Sequence, residues 1–258
     1  MTDQSESRKF TNTLARGVSV LRAFRVGDDG LTHSELVERT GLAGATVTRL
    51  THTLTELGFL SHAGRNDRYR LGPGAIAIGS VASAAASFLD LASEPMQRLA
   101  NHTGTLALIA MRDGDRMILA KTWRPVGAAS IWLEPGHRIP ILGSSSGQAV
   151  MAALSDARFD ALAPCDDLRG FRRNGYEQLV GQGFTIVPAP MRYAVTVNAV
   201  SVPYFAAEFG EPVAFSCGAV PDMLSDARML EQVGPALRDT VRALELQTGR
   251  NSALHRRG

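Results

Sequence analysis

The sequence predicts an α+β protein built from a small helical unit with a hairpin, a linker helix, and an antiparallel sheet with flanking helices. Residues 8–74 show helical apolar periodicity and then two short alternating strands. Residues 75–92 are rich in Ala and Ser, which favours one helix. Residues 93–250 mix apolar strand patterns with amphipathic helices. We therefore expect two domains joined by a linker helix.

The strongest local pattern lies in residues 32–58, which read as two short helices joined by a tight turn. Gly41 stands where the first helix must end, because glycine tolerates the positive φ of a C-cap. One face of the second helix carries an apolar stripe spaced by three, four and three residues: Val47, Leu50, Leu54 and Leu57. The opposite face carries mostly short polar groups that let base edges come close: Ala45, Thr46, Thr48, Arg49, His52 and Thr53. This pattern is typical of a helix-turn-helix, although any small three-helix domain has such stripes.

The flanking segments favour the nucleic-acid interpretation. Residues 59–71 read as a hairpin, and a hairpin in this place is a wing. Arg65, Arg68 and Arg70 are predicted to direct it towards phosphates or a minor groove. Upstream, Lys9 belongs to a basic arm. A first helix is predicted to close the small core with an apolar stripe formed by Leu14, Val18, Leu21 and Phe24.

Residues 31–60 read LTHSELVERTGLAGATVTRLTHTLTELGFL, and YRLGPG follows the turn of the hairpin. This stretch resembles the IclR family of bacterial transcriptional regulators over about sixty residues, including the turn, the second helix and the wing. The resemblance continues more weakly along the rest of the chain. It implies a C-terminal GAF-like domain that binds a small effector. One departure is Gly44, where the family often has a basic residue, and this removes a phosphate contact.

Composition bounds the class of protein. The chain has 258 residues, a formal net charge of +2, and only two cysteines, Cys165 and Cys217. The charge gives no general polyanion signal, and the cysteines do not form a disulfide framework. The polar start and the lack of a long apolar run predict a cytoplasmic protein without a membrane segment. No histidine pair has metal-ligand spacing and no nucleotide fingerprint occurs, so we expect neither a metal nor a cofactor.

The C-terminal part reads as strands and helices in alternation. A hairpin is predicted from residues 105–111 and 116–122, and residues 147–154 read as a helix. The further strand patterns are residues 130–133, 183–187, 195–202 and 212–220. A long amphipathic helix, interrupted at Pro235, is predicted for residues 225–247.

The segment Gly143-Ser144-Ser145-Ser146-Gly147 fits the G-x-S-x-G pattern of serine hydrolases. Such an enzyme needs a later histidine, and the only one is His255, in the polar tail. The same residues also open a helix, whose free N–H groups and serine hydroxyls suit an anion such as a carboxylate. The family resemblance points to this loop as part of an effector pocket. Simple N-capping by serine is the third interpretation.

The predicted pocket is apolar apart from this loop. The resemblance places Ala199 where the family often has Cys, and an acidic pair common in the family is missing after Gly183. We therefore expect a larger, aromatic or largely apolar effector, with its carboxylate held by the loop amides or by Arg192. The candidate wall residues, each equally readable as ordinary core, are Met111, Trp132, Leu142, Met151, Phe215 and Cys217.

Together these patterns predict a one-component regulator, either repressor or activator, that binds double-stranded DNA and a small-molecule effector. One helix-turn-helix buries too little surface for tight specific binding, so a homodimer or homotetramer on a palindromic operator is expected. Residues 75–91 would set the spacing of the two recognition helices. The rival classes are the serine hydrolase, a metabolic enzyme fused to the helix-turn-helix, and a protein-binding module that ignores DNA.

Overall fold

The computed structural model describes residues 10–62, 67–249 and 254. The chain divides into two compact units, Met1–Ala85 and Ala86–Gly258. Each unit has its own hydrophobic core.

The N-terminal unit begins with three helices: α1 (Asn12–Arg22), α2 (His33–Thr40) and α3 (Gly44–Glu56). The start of α2 is fixed by a capping box, in which the Thr32 hydroxyl accepts from the Glu35 amide and the Glu35 carboxylate accepts from the Thr32 amide. Gly41 ends α2 with φ 66°, which confirms its predicted role as a C-cap. The helix-turn-helix therefore spans α2, the turn and α3.

The core of this unit differs from the predicted one in α1. Its fully buried apolar side chains are Val20, Leu31, Leu36, Val47 and Leu60, together with Ala23. Leu21, Phe24, Leu50 and Leu54 pack on this cluster half-buried, as their periodicity predicts. The predictions for Leu14, Val18 and Leu57 were wrong, because these side chains are 67%, 41% and 63% exposed. The buried face of α1 is turned towards Gly17 and Val20, so Leu14 and Val18 form an outer apolar face.

The hairpin follows α3 as β1 (Leu60–Ser61) and β2 (Arg70–Leu71), which pair antiparallel. Leu31 pairs with Tyr69 through both backbone bonds, N–H to oxygen at 2.8 and 2.7 Å, so the wing is joined to the residue before the capping box. Helix α4 (Pro73–Ala85) comes next, and each of its residues is exposed or half-buried. The helix predicted for residues 75–91 is interrupted at Ala86, which leaves the helical region.

The C-terminal unit is a six-stranded antiparallel sheet between two layers of helices. Its strands are β3 (Leu106–Asp113), β4 (Arg116–Trp123), β5 (Arg138–Pro140), β6 (Thr185–Ile186), β7 (Asn198–Ala206) and β8 (Glu211–Ala219). Their order across the sheet is β5-β4-β3-β8-β7-β6. The strand predicted at residues 130–133 is wrong. Ile131 and Leu133 pack inwards and Trp132 outwards, but the segment makes no strand pairing in the described sheet, and β5 lies further along the chain.

One helical layer consists of α5 (Ser87–Leu91), α6 (Ser93–Thr103) and α11 (Gly234–Gln247). It packs on the sheet face that carries Ile109, Phe215 and Cys217. The opposite layer is α7 (Ser145–Ala153), α8 (Asp156–Asp160) and α9 (Asp166–Gly181). All nine residues of α7 are buried, so its N-terminus lies inside the unit. Short segments complete the fold: a 3-10 turn (Ala189–Met191), α10 (Asp226–Arg228) and a π-helical turn (Met229–Val233). The helix predicted for residues 225–247 is thus irregular before Gly234, whereas its interruption was expected at Pro235.

Candidate nucleic-acid interface and ligand cavity

Helix α3 presents the face that the sequence predicts for base contacts. Val47 is fully buried and holds the helix on the core. On the other side Ala45, Thr48, Arg49, His52 and Thr53 are exposed and Thr46 is half-buried. The Arg49 side chain makes no hydrogen bond or ion pair to any described residue, so its guanidinium is available to an external acceptor. Helix α3 thus has the polarity of a recognition helix.

The wing arginines are placed differently from the expectation. Arg68 forms a bidentate ion pair with Glu35, at 2.8 and 2.9 Å, and its Nε donates to the Gly30 carbonyl at 3.0 Å. Arg70 pairs with Asp29 at 3.2 Å and with Asp67 at 3.5 Å. Both guanidiniums therefore tie the hairpin to the rest of the unit. Lys9 and Arg65 lie outside the described residues.

A cavity of about 550 Å³ lies between the sheet and the N-terminus of α7. This figure includes the space open to solvent at the mouth of the cavity, so it is an upper bound on the room for a ligand. Most of its wall is aliphatic, contributed by Leu108, Leu119, Ile131, Leu133, Ile139, Val187 and Val197, with Tyr193 beside them. Ala199 also belongs to the wall. The remaining wall is the serine loop, together with Ser216 and Gly218 of β8.

The serine loop forms the polar end of the cavity. Ser144 is the N-cap of α7, since its hydroxyl accepts from the Gly147 amide at 3.1 Å and donates to the Pro140 carbonyl at 2.6 Å. Ser145 is joined through Ser201 to Ser216 by hydroxyl contacts of 2.8 and 2.7 Å. The Ser146 hydroxyl is buried and has no hydrogen-bond partner among the described residues. An unpaired buried hydroxyl at a helix N-terminus suits a ligand that accepts hydrogen bonds.

Two glycines let this loop form. Gly143 has φ 79°, and a Cβ there would lie 2.7 Å from the Tyr193 amide nitrogen. A Cβ at Gly147 would lie 2.2 Å from the Ile141 carbonyl oxygen. Gly147 therefore allows α7 to start directly against the chain that precedes it, and it lies behind the cavity rather than in its wall.

Arg192 lines the cavity, but its guanidinium already has three partners. It donates to the Val187 carbonyl and the Asn198 amide oxygen, and it forms an ion pair with Asp226. Only 10% of its side chain is exposed. The group expected to hold a carboxylate instead fixes the segment that covers the cavity. The Tyr193 phenol beside it has a pKa raised by burial, so it is neutral and able to donate at ordinary pH.

Six predicted wall residues lie outside this cavity. Phe215 and Cys217 are fully buried in the core on the other face of the sheet, and Met111 packs against that same cluster. Met151 is buried in the core below the cavity. Trp132 is 72% exposed, with the Arg124 guanidinium 3.5 Å from its ring centre, and Leu142 is 41% exposed.

The wall residues that the sequence missed follow from strand alternation. Successive side chains of a strand point to opposite faces, so Ser216 and Gly218 reach the cavity while Phe215 and Cys217 do not. On β3 the same alternation brings Leu108 to the cavity and leaves Met111 on the far face. If the sheet face of one residue in each strand had been known, alternation would have identified the other cavity-lining residues of that strand.

Among the described residues, the cavity brings no catalytic base to the serine loop. No histidine is among those that line the cavity, and Ser145 is hydrogen-bonded to another serine rather than to a base. In the described part of the chain no three His, Cys, Asp or Glu side chains converge as a metal ion would require. None of the helices there is long and apolar enough to cross a membrane.

Comparison with known proteins agrees with the helix-turn-helix and with the whole fold. Residues 13–64 match the family model of the IclR helix-turn-helix domain. A regulator from Brucella abortus, described as an IclR family transcriptional regulator, superposes with a TM-score of 0.78 at 26% identity over 93% of each chain. Residues 13–64 therefore form an IclR-type helix-turn-helix domain, and the fold of the chain is that of an IclR family regulator. The expected fold, with its effector-domain type of sheet, is confirmed by this similarity.

Two further proteins are similar to this chain, one in sequence and one in fold. The Pca regulon regulatory protein of Pseudomonas putida is 30% identical over 57% of this chain, and the match spans only about half (50%) of that protein's length. An IclR homolog from Microbacterium hydrocarbonoxydans, solved in complex with 4-hydroxybenzoate, has a TM-score of 0.62 at 21% identity, covering 90% of this chain and all of its own (100%). These relatives are named as regulators or IclR homologs, not as enzymes.

Proposed function

We propose that this IclR-family chain is a ligand-responsive transcriptional regulator. Its N-terminal unit binds operator DNA, and its C-terminal unit binds a small molecule in the cavity at the N-terminus of α7. The observation that carries the proposal is the exposed face of α3: Val47 anchors the helix on the core, and the Arg49 guanidinium has no partner in the part of the chain that the structure describes. A second helix of this kind enters the major groove in helix-turn-helix proteins.

The DNA contacts are assigned to α3 first. Thr46, Thr48 and Arg49 are proposed to reach base edges, with Ala45, His52 and Thr53 beside them. Arg68 and Arg70 are proposed to act through the wing, since their guanidiniums hold it in place. Lys9 and Arg65 stay as predicted backbone contacts.

Two exposed apolar surfaces of the N-terminal unit support the proposal that the protein binds DNA as a symmetric assembly of identical chains. Helix α1 exposes Leu14 and Val18, four residues apart on one helical face, and Phe10 is exposed two residues before the helix begins. Helix α4 has no charged residue and exposes Ile76, Ile78 and Val81. Contiguous exposed apolar surface marks association sites. A second copy of the chain would present a second recognition helix about 34 Å away, on a palindromic operator.

The ligand is proposed to be an aromatic or largely apolar carboxylic acid. The aliphatic wall suits a ring, and the α7 N-terminus with the Ser146 hydroxyl suits the carboxylate. The relative bound to 4-hydroxybenzoate supports an aromatic acid as the first class to test. Since Arg192 is engaged by Asp226, the carboxylate is held by helix amides and hydroxyls rather than by an arginine.

The test is binding of the purified protein to duplexes from upstream of its own gene, with an unrelated competitor and a salt titration. Binding that resists competition and falls steeply with salt supports the proposal. Benzoate-type acids are then added and should release or tighten the complex. The absence of selective binding, with or without these acids, would contradict it.

The matching variant is Arg49→Ala. Loss of an arginine from a base edge should reduce specific binding by about tenfold or more, with non-specific binding less affected. Arg98→Ala removes the same charge from an exposed site in the C-terminal unit and is the control. Equal losses in the two variants would show that Arg49 acts only through net charge.

A further inference from the structure

His33 connects the two helices of the helix-turn-helix where the recognition helix begins. It is the first residue of α2, and its Nε2 lies 3.2 Å from the Gly44 carbonyl oxygen and 3.0 Å from Thr48 Oγ1. A carbonyl oxygen can only accept a hydrogen bond, so the contact with Gly44 requires Nε2 to carry the hydrogen. His33 is therefore a donor to the first turn of α3, whose N-cap residue, Ala43, supplies no side-chain cap.

This contact fixes the side chain of Thr48. Its Oγ1 lies 3.1 Å from the Gly44 carbonyl oxygen, one turn earlier in the helix, and also faces the imidazole of His33. A threonine Cβ bears only a hydroxyl, a methyl and a hydrogen. With the hydroxyl held towards Gly44 and His33, the methyl is the γ group left for the exposed side of α3.

Thr53 provides the comparison within the same helix. Its hydroxyl makes the same bond to the carbonyl one turn earlier, at 3.0 Å from the Arg49 oxygen. No histidine faces it among the described residues. The buried Thr51 also contacts a second element, since its hydroxyl lies 3.4 Å from the Tyr69 phenol oxygen. Thr48 is thus an exposed threonine of α3 whose hydroxyl contacts a second element, as that of Thr53 does not.

We propose that His33 is a positioning residue for sequence recognition: it turns the Thr48 hydroxyl inwards, so that α3 presents the Thr48 methyl to the 5-methyl group of a thymine. The inference rests on the proposed DNA binding. Apolar contact with the thymine methyl is a recognised mode of major-groove readout and discriminates thymine from cytosine without a hydrogen bond. Thr48 then reads shape and hydrophobicity, while Arg49 supplies the hydrogen-bonding contact.

The experiment removes the methyl group from the thymine, and it removes the methyl or the hydroxyl from Thr48. Duplexes enriched from a random pool by the wild-type protein define the site, and each thymine is then replaced by uracil, which lacks only the methyl. At one thymine per half-site we expect about fourfold weaker binding, the effect of one buried methyl. Thr48→Val keeps a methyl and should preserve this ratio. Thr48→Ser keeps the hydroxyl and should bring the ratio close to one.

His33→Ala should lower the thymine-to-uracil ratio at that same position, because the Thr48 hydroxyl then keeps only its bond to the Gly44 carbonyl and is held less firmly. The ratio compares two duplexes on one protein preparation, so a lower folded fraction does not change it. Thr53→Ser, which removes a methyl elsewhere on α3, should leave it unchanged. A ratio that survives in Thr48→Ser or in His33→Ala would overturn the inference while leaving DNA binding in place. A selection that enriches no sequence would contradict the proposed DNA binding, and this inference with it.

Discussion

Ser146 is a buried hydroxyl without a partner among the described residues, and such a group costs about 1–3 kcal/mol of stability. Ser146→Ala should therefore raise the free energy of unfolding of the unliganded protein by about 1 kcal/mol. The same change should weaken binding of a benzoate-type acid by about tenfold, since a hydrogen bond to a carboxylate is lost. Urea unfolding and calorimetric titration measure the two effects.

Ser144→Ala is the matched control, because Ser144 already uses its hydroxyl as the N-cap of α7. Loss of that cap should lower the free energy of unfolding by about 1 kcal/mol. Opposite signs for two neighbouring serines would assign Ser146 to the ligand and Ser144 to the fold. A destabilised Ser146→Ala would instead assign both serines to the fold.

Glu35 serves both the helix-turn-helix and the wing. Its carboxylate accepts from the amide and hydroxyl of Thr32 and pairs with Arg68. These contacts lower the pKa of Glu35, the Thr32 amide being the largest cause. The stabilisation is therefore present above the ordinary glutamate pKa and is lost as the pH falls through the lowered value.

Glu35→Gln should keep the helix cap and release the wing. The expected result is faster hydrogen exchange at the Leu31 and Tyr69 amides, which bond to each other where the wing joins the helical unit. Wild-type protein should show the same change once Glu35 is protonated. Asp28→Asn, which breaks the separate ion pair with Arg39, should leave both amides protected. Unchanged exchange in Glu35→Gln would show that backbone pairing alone holds the wing.

At the scale of elements, α7 depends on a close approach of two backbones. A Cβ at Gly147 would lie 2.2 Å from the Ile141 carbonyl oxygen, and backbone there cannot give way as a side chain can. Gly147→Ala should lower the free energy of unfolding by about 1–3 kcal/mol. In Gly170→Ala a Cβ would meet no described atom within 4 Å, so this helical change should add about 0.5–1 kcal/mol. Similar melting temperatures for the two variants would contradict this account.

Elements were predicted from the sequence more successfully than the faces they bury. The Gly41 turn and the apolar stripe from Val47 to Leu54 are local signals, because backbone sterics and helical periodicity act within a few residues. Which side chains of a strand face the cavity is not decided by local sequence. Phe215 and Ser216 are adjacent, and only the layers above and below the sheet decide which one lines the cavity.

Helix α1 shows the same limit in another form. Leu14 and Val18 are spaced as on one face of a helix, and so they look like core residues in the sequence. Both are exposed, whereas Val20 is fully buried. An apolar stripe indicates that one face of a helix is covered. It does not indicate whether the same chain or a second copy covers that face. Periodicity alone therefore could not separate the core of this unit from its outer apolar face.

At the scale of the whole molecule, α4 makes assembly the central question. A helix of thirteen residues without a charge, each exposed or half-buried, is costly in water unless another surface covers it. The high content of Ala and Gly in α4 lets a second helix approach closely. We expect this coverage to come from a second copy, since symmetric self-association is the commonest solution for soluble proteins.

Val81→Glu tests that expectation. Val81 is 71% exposed, so a carboxylate is tolerated by the single chain and the melting temperature of the monomer should hardly change. In an assembly the same carboxylate would be buried without a partner, which costs several kcal/mol and should raise the dissociation constant by about a hundredfold or more. Val126→Glu, at an 80% exposed valine of the C-terminal unit, is the control. Sedimentation velocity should show Val81→Glu as a smaller species with weaker operator binding. An unchanged assembly would mean that α4 is covered by something other than a second copy.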